Sequence, residues 1–308
     1  MLASISVRLD PMIDRIGRVL RVFGATALLT LNSLIHVGPL LLIALVKAVL
    51  QLQPVRQVCD RWLMAIVANW IDVNSWMIDK MTSLQLQVHG LPDELPDGNF
   101  LMLCNHQSWV DIPVLQKVFN HKIPLLRFFL KSQLFWVPIL GLAWWALDYP
   151  FMKRYSREQI ARRPELAGRD IEATRKACRK YRDIPVVIGN FLEGTRFTPE
   201  KHAAQASPYR HLLKPRAGGT AFVLDAMGES LDYILDVTIV YPHGRGELVD
   251  LFADQIPEVS MNVRLLAIPP EFKGRNYQTD EAFKRDFQTW INELWAEKDQ
   301  LIAQMLDT

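Results

Sequence analysis

The chain has 308 residues, half of them hydrophobic, which is enough for one sizeable globular domain plus an appendage. A formal net charge of +2 gives no field strong enough to gather nucleic acid. The three cysteines, Cys59, Cys104 and Cys178, are odd in number and far apart; this argues against a disulfide framework or a zinc site and fits a reducing compartment.

Residues 22–46 form a 25-residue run without Asp, Glu, Lys or Arg, long enough to cross a bilayer. Asn32, Ser33, His36, Gly38 and Pro39 interrupt its middle, and Gly beside Pro predicts a bend. Arg8, Arg15, Arg18 and Arg21 precede the run; Lys47, Arg56 and Arg61 follow it, so both ends favour the cytoplasmic face. The expectation is a bent, re-entrant hairpin, roughly 18–34 and 39–51. A single span is the runner-up, and a buried hairpin of a soluble protein the third reading. A cleaved signal peptide fits poorly, because the run is too long and no small-x-small site follows it.

Residues 60–81 read as an amphipathic helix rich in Trp, with Trp62, Trp70 and Trp76. Residues 84–89 alternate apolar and polar, which predicts a strand; 92–98 form a turn cluster; 100–104 predict a buried strand. Residues 134–147 are uncharged but too short to span, so they are either a buried helix or a wall facing lipid or an acyl groove. Residues 157–181 predict a solvated helix, 185–191 a strand, 218–227 a helix, 235–241 a strand and 261–268 a late strand. At the carboxyl end Phe283, Phe287, Trp290, Ile291, Leu294 and Trp295 repeat with helical spacing, with Thr279 as the expected cap and Asp280 and Glu281 in the first turn. Strands alternating with helices indicate an α/β domain.

Two stretches carry chemistry. Asn105-His106-Gln107-Ser108-Trp109-Val110-Asp111 follows the buried strand. A histidine can take a hydroxyl proton at neutral pH, and a carboxylate on its other nitrogen fixes the tautomer. Positions five apart differ by about 140° on a regular helix, so if the pair works together His106 must precede a helix that contains Asp111. Pro113 agrees, since proline is tolerated in a first turn. Alternatively His106 simply caps that helix or satisfies a buried carbonyl.

The second stretch is Phe191-Leu192-Glu193-Gly194-Thr195-Arg196-Phe197. Gly194 permits close backbone approach, Thr195 and Arg196 offer donors, and arginine grips phosphate through two parallel bonds. Lys131, Lys153, Arg154, Lys214 and Arg216 are further cations. There is no G-x-S-x-G elbow, no P-loop, no G-x-G-x-x-G and no metal-ligand spacing; Gly244-x-Gly246 reads as a turn.

Together these stretches resemble the membrane glycerolipid acyltransferases, specifically the 1-acylglycerol-3-phosphate acyltransferases. Asn105 to Asp111 matches an N-H-x4-D block, Phe151-Met152-Lys153-Arg154 a block ending in Arg, Phe191 to Arg196 the E-G-T-R block, and Asp236 to Tyr241 a last, apolar block. Lys131-Ser132-Gln133-Leu134 is similar to a lysine-bearing segment. Residues 197–202 and 212–216 resemble a branch containing lysocardiolipin acyltransferases and bacterial inner-membrane enzymes. Leu192 stands where the family usually has proline, and Pro242 follows the last block where a proline usually lies within it.

The resemblance implies a mixed α/β sheet flanked by helices, with an N-terminal membrane-embedded hairpin. The implied division is a hairpin at 1–58, an amphipathic helix and connecting strand at 59–98, a catalytic domain at 99–275 and a C-terminal amphipathic helix at 276–308. It implies transfer of a fatty acyl group from acyl-CoA or acyl-carrier protein to the sn-2 hydroxyl of lysophosphatidate at the cytoplasmic face of an inner membrane, with no cofactor, metal or nucleic acid. His106 would be the base and Asp111 its orienter. Arg154 and Arg196, with Lys131, would hold the acceptor phosphate, and Glu193, Gly194 and Thr195 would complete the binding site, with Glu193 organising the arginine. The alternatives are another acceptor (lysophosphatidylglycerol, lysocardiolipin or glycerol-3-phosphate), a silent membrane-bound binding protein, and a hydrolase using Ser108.

Overall fold

The computed structural model describes residues 11–152, 162–163, 181, 185–228, 230–273, 275, 277 and 279–307. Two long helices come first, α1 (Pro11–Val49) and α2 (Gln53–Met81). The expected hairpin reversal between residues 34 and 39 is absent: α1 continues as one helix through Pro39, and the chain reverses at 50–52. The polar residues that interrupt the apolar run are the seam between the two helices. Asn32 Nδ2 donates to Trp70 O (3.1 Å) and to Asn74 Oδ1 (2.8 Å), Trp70 Nε1 donates to Ser33 Oγ (3.2 Å), and a His36 nitrogen lies 2.8 Å from Asn69 Oδ1. These groups find partners on the neighbouring helix, so they pin the pair together without breaking α1.

The rest is a three-layer α/β fold. Strands β1 (Gln85–His89), β2 (Phe100–Cys104), β3 (Leu126–Phe128), β6 (Val187–Phe191), β7 (Tyr233–Val240) and β8 (Glu258–Ala267) form one sheet in the order β1-β8-β7-β2-β6-β3. A small pair, β4 (Leu130–Lys131) and β5 (Phe151–Met152), stands apart. Strands β7, β2, β6 and β3 are mutually parallel, and β8 runs antiparallel to β7. β2 is paired on both edges and buried along its whole length, which explains its continuous apolar sequence.

Alternate residues of β2 serve opposite cores. Leu101 and Leu103 pack with α6 (Ala217–Met227) and α8 (Glu281–Asp307); Phe100, Met102 and Cys104 pack with α3 (Asp111–Phe119) and the end of α2. The helix α8 buries Phe283, Phe287, Ile291, Leu294 and Trp295, as its spacing predicts, while Trp290 is half-buried. Its cap is Asp280 and not Thr279: Asp280 Oδ1 accepts from Phe283 N at 2.8 Å while Arg275 holds the other oxygen. Lys298 of α8 is fully buried and reaches Asp236 Oδ1, Val237 O and Thr238 Oγ1, so the last, apolar block also carries a buried ion pair.

The uncharged stretch at 134–147 is split. A 3-10 turn (Ser132–Trp136) leads through Pro138 into α4 (Leu140–Ala146), which exposes Leu142 and Trp145 and buries Gly141 and Ala146. The helix α4 packs beside α1 and α2 in a third cluster around Leu40, Leu63, Val67 and Leu147. Short helices α5 (Pro199–Gln205) and α7 (Leu248–Phe252) complete the described residues. The expected helix at 157–181 lies largely outside them.

α1 is not a core helix, since only 17% of its most apolar window is buried. The structure fixes it to the α/β body at both ends. Arg21 pairs with Asp254 at 2.8 Å, and Lys47 pairs with Asp60 at 2.6 Å and with Asp148 at 2.9 Å. Those anchors are separated by ~39 Å of helix, at ~1.5 Å per residue.

Candidate active site

The parallel strands all end at one edge of the sheet, where open α/β sheets place their ligand sites. His106 follows β2, Glu193 to Arg196 follow β6, Lys131 lies beyond β3, and Tyr241 follows β7. This edge gathers segments more than a hundred residues apart.

His106 lies in the loop and Asp111 is the first residue of α3, the arrangement that the five-residue spacing demands. Their contact, His106 Nδ1 to Asp111 Oδ2, measures 2.8 Å. The same oxygen accepts from Gln107 N (2.7 Å) and Ser108 N (3.0 Å), and Asp111 Oδ1 accepts from Tyr241 Oη at 2.6 Å. Asp111 is completely buried with four donors, so it is held as a carboxylate acceptor. That places the proton of a neutral His106 on Nδ1 and leaves a lone pair on Nε2. Nε2 meets no hydrogen-bond partner among the described residues.

The imidazole is also fixed face-on. It stacks on Phe191 at 4.0 Å, and Phe191 in turn stacks on Phe128 at 5.1 Å. Its backbone is held on both sides: His106 N donates to Glu193 Oε1 (2.7 Å), and His106 O accepts from Phe197 N (2.8 Å). Asn105 makes a reciprocal pair with the main chain of Ile239, each bond 2.8 Å, which extends the sheet one residue beyond β2.

Glu193 therefore does a different job from the one expected. It is fully buried, and its second oxygen accepts from Leu213 N at 2.9 Å. It pins the His106 backbone and does not touch Arg196. Burial pushes its carboxyl from an ordinary 4.5 up to about 7, only partly opposed by the two N–H donors. Burial, reinforced by the Asp111 charge, likewise drives the Tyr241 hydroxyl well above its usual range.

Gly194 has φ +68°, and a Cβ there would lie 3.2 Å from Arg216 Cδ. Thr195 Oγ1 and Arg196 O both accept from Lys201 Nζ at 2.9 Å, which steadies the loop. The backbone amides of Thr195 and Arg196 donate to no described residue. The Arg196 guanidinium is half-exposed, lies 4.7 Å above Trp109 and pairs with Glu247 at 2.6 Å. Lys131 is exposed at the end of β4 and makes no hydrogen bond or ion pair with a described site residue. Arg154 lies outside the described residues.

Trp109 also lines a groove of about 480 Å³ between α1, α2, α3, α4 and α7. Its walls are mostly apolar and include Leu40, Ile139, Ala143 and Leu251, with Ser33, His36, Asn74 and Gln116 among the polar exceptions. A larger cavity of about 760 Å³ lies between α2, α3 and the 121–127 loop and is lined by none of the described candidate site residues.

Tyr241 as the second partner of Asp111, and Lys201 as the brace of the loop, are contacts that motif reading did not assign. The signal for Tyr241 was its place at the end of the last block, immediately beyond β7.

The profile of the Acyltransferase family matches residues 85–242, just over half of the chain and inclusive of every block from His106 to Tyr241. The chain is 25% identical to mouse 1-acyl-sn-glycerol-3-phosphate acyltransferase epsilon, over 94% of this chain and 80% of that protein. It is 26% identical to the human gamma protein of that name (56% of this chain, 43% of that one), and 23% identical to a Saccharomyces cerevisiae 2-acyl-1-lysophosphatidylinositol acyltransferase (68% and 62%). The chain thus spans less than two thirds of the length of several of these relatives. The fold is similar to the crystal structure of the 1-acyl-sn-glycerophosphate (LPA) acyltransferase from Thermotoga maritima, with a TM-score of 0.55 at 16% identity, covering 92% of this chain and 98% of that one. On its profile match, its fold and its buried His106–Asp111 pair, the chain belongs to the acyltransferase family.

Proposed function

We propose that this acyltransferase moves a fatty acyl group from acyl-CoA or an acyl-carrier protein to the sn-2 hydroxyl of lysophosphatidate. The observation that carries the reading is the His106 imidazole, oriented by Asp111 with Nε2 unpartnered among the described residues, on the same sheet edge as Arg196, which stacks on Trp109, a wall residue of the apolar groove. Nε2 takes the proton of the acceptor hydroxyl as its oxygen attacks the thioester carbonyl. The carbonyl oxygen becomes an oxyanion, and the amides of Thr195 and Arg196, which have no acceptor among the described residues, are the donors we assign to it. Collapse breaks the carbon–sulfur bond, and the thiolate leaves with the proton from the imidazolium. Arg196 holds the acceptor phosphate, with Lys131 and Arg154 as further cations. The thioester is already activated, so the reaction needs no cofactor. The groove beside Trp109 takes the acyl chain.

The same reading puts the enzyme on the cytoplasmic face of an inner membrane, held in one leaflet. α1 is apolar and exposed, yet residues near both of its ends bond to the α/β body. A helix crossing the bilayer would carry those ends to opposite sides. Lying along the body, α1 instead meets lipid with its outer face. The yeast relative named for lysophosphatidylinositol keeps a second acceptor class in view.

The test is thiol release from an acyl-CoA by purified protein in detergent, with and without lysophosphatidate, beside His106→Ala. Stimulation by lysophosphatidate that disappears in the variant supports the reading. Stimulation only by another lysophospholipid keeps the chemistry and changes the acceptor. Acceptor-independent thioester cleavage removes the transferase reading.

A further inference from the structure

The loop at 242–247, read from sequence only as a glycine turn, is built against the catalytic histidine. It leaves β7 directly after Tyr241, the partner of Asp111, and turns through Gly244 (φ +102°), whose amide donates to Tyr241 O at 3.2 Å. The Gly246 carbonyl accepts from Ser108 Oγ, two residues beyond His106. A Cβ on Gly246 would lie 2.7 Å from Ile256 Cδ1 and 2.9 Å from Asp250 Cβ, so the close docking of this loop requires glycine.

The docking brings Arg245 onto Phe197, in the loop that follows Arg196. Its guanidinium lies 4.0 Å from the centre of the Phe197 ring, and the Phe197 amide donates to His106 O. Its charge is near enough to act on Glu193 and Asp111, yet both carboxylates are buried and spend their oxygens on other donors. No described acid forms an ion pair with Arg245. Stacking occupies the face of the guanidinium and leaves its N–H groups free at the rim.

Arg196, next to Phe197 in sequence, differs in one respect: its guanidinium is held by Glu247, two residues beyond Arg245. Glu247 is more than half exposed at 59%, so the pair is readily exchanged with solvent or ligand. One short loop therefore contributes an unpaired cation and the anion that covers its neighbour.

We propose that this loop is the headgroup clamp of the site: Arg245 binds the acceptor's phosphate directly, and Glu247 is the counter-ion that the same phosphate displaces from Arg196. The inference rests on the lysophosphatidate reading above and names a ligand outside the four sequence blocks. A phosphate monoester carries close to two negative charges and three acceptor oxygens, enough for two guanidinium groups at once.

The clamp predicts opposite effects from neighbouring residues. Arg245→Gln should raise KM for lysophosphatidate about tenfold or more with a much smaller change in kcat, and Arg245→Lys should recover part of it. Glu247→Gln, which keeps an acceptor oxygen for the cap of α7, should lower KM severalfold at low ionic strength. The same substitutions in a His106→Ala background, with lysophosphatidate binding measured directly in detergent, separate the clamp from turnover. Weakened binding with Arg245→Gln and strengthened binding with Glu247→Gln support it. Unchanged binding with Arg245→Gln, or both variants moving the same way, overturns it. Wild-type protein that turns over other lysophospholipids but neither uses nor binds lysophosphatidate would sink the acceptor reading and the clamp with it. Binding without turnover would sink only the acyltransferase reading and leave the clamp to be judged by the two variants.

Discussion

The two halves of the site are built to different standards. Around His106 the polar groups that define the geometry are buried and spoken for: Asp111 takes four donors, Glu193 two, and Asn105 is locked to Ile239 on both ends of its amide. Around Arg196 the groups are exposed and joined by single contacts: Glu247 to Arg196, Arg196 over Trp109, Arg245 over Phe197. The dry half holds a proton acceptor rigid, which is where misplacement by 1 Å is costly. On the proposed reading the wet half receives a headgroup, which must enter and leave. On that reading the fold would fix the chemistry, whereas acceptor choice would depend on a few exposed side chains that can change without disturbing the core.

The strongest way to test the division is at its dry end. His106→Ala removes the proposed base and should lower kcat by ~10²–10⁴-fold. The thermal midpoint should stay near that of the native protein, because the contacts from Asn105 and the His106 backbone do not use the imidazole. Thiol-release kinetics and a melting curve measure both. An unfolded variant would show that the dry half is a stability element as much as a catalytic one.

At the wet end, Arg196→Gln removes a charge-assisted contact and should act on KM for the acceptor, by about 10–100-fold, corresponding to ~1.5–3 kcal/mol. Stability should hardly move, since the Arg196–Glu247 pair is a surface pair. A fall in kcat with KM unchanged would place Arg196 in the transition state and blur the division.

How much of this was legible beforehand follows the same line. The dyad was readable because both residues sit within one short segment, and five-residue spacing with Pro113 admits few arrangements. The strand β2 and the helix α8 were readable from local pattern alone. What failed needed partners distant in sequence. Pro39 and its polar neighbours read as a break because Asn69, Trp70 and Asn74, the groups that satisfy Asn32, Ser33 and His36, arrive on another helix. Glu193 read as a ligand for arginine because it stands beside Arg196; its real partners are the amides of His106 and Leu213. Tyr241 meets Asp111 across 130 residues, a pairing that only sheet order creates.

Glu193 sharpens the comparison through pH. Its folded carboxyl titrates at about 7 against an ordinary 4.5, so between those values the folded state holds a proton that the unfolded chain has lost. The associated stability is fully present below about 4.5 and is gone once pH has risen through about 7. Glu193→Gln has no such titration. It should begin less stable than the native protein, because an amide has only one acceptor for two N–H donors, and the gap should narrow by on the order of 2–3 kcal/mol from pH 5 to pH 8. Denaturant midpoints at four pH values read this directly. A gap that stays constant would mean that Glu193 is ionised throughout, stabilised by the His106 and Leu213 amides more than it is penalised by burial.

The smallest effect is expected at Tyr241, and it bears on how much redundancy the dry half contains. Tyr241→Phe deletes one of four donors to Asp111 and leaves the ring, which packs in the core beside Cys104 and Ile239. The three remaining donors all go to the other oxygen, Oδ2, so Oδ1 loses its one partner. The net cost of a hydrogen bond to a charged group is about 1.5–3 kcal/mol when its partner stays buried and unsatisfied, and nearer 1 kcal/mol when water enters. Tyr241 sits directly before the 242–247 loop, which is exposed enough for a water to follow, so the lower figure applies and kcat should fall about fivefold. The fall should appear in kcat with the acceptor KM unmoved, the opposite pattern from Arg196→Gln. A drop of a hundredfold or more would show that Oδ1 stays dry and that Tyr241 sets the orientation of Asp111 alone. No drop at all would show that the Gln107 and Ser108 amides suffice to hold the carboxylate against His106.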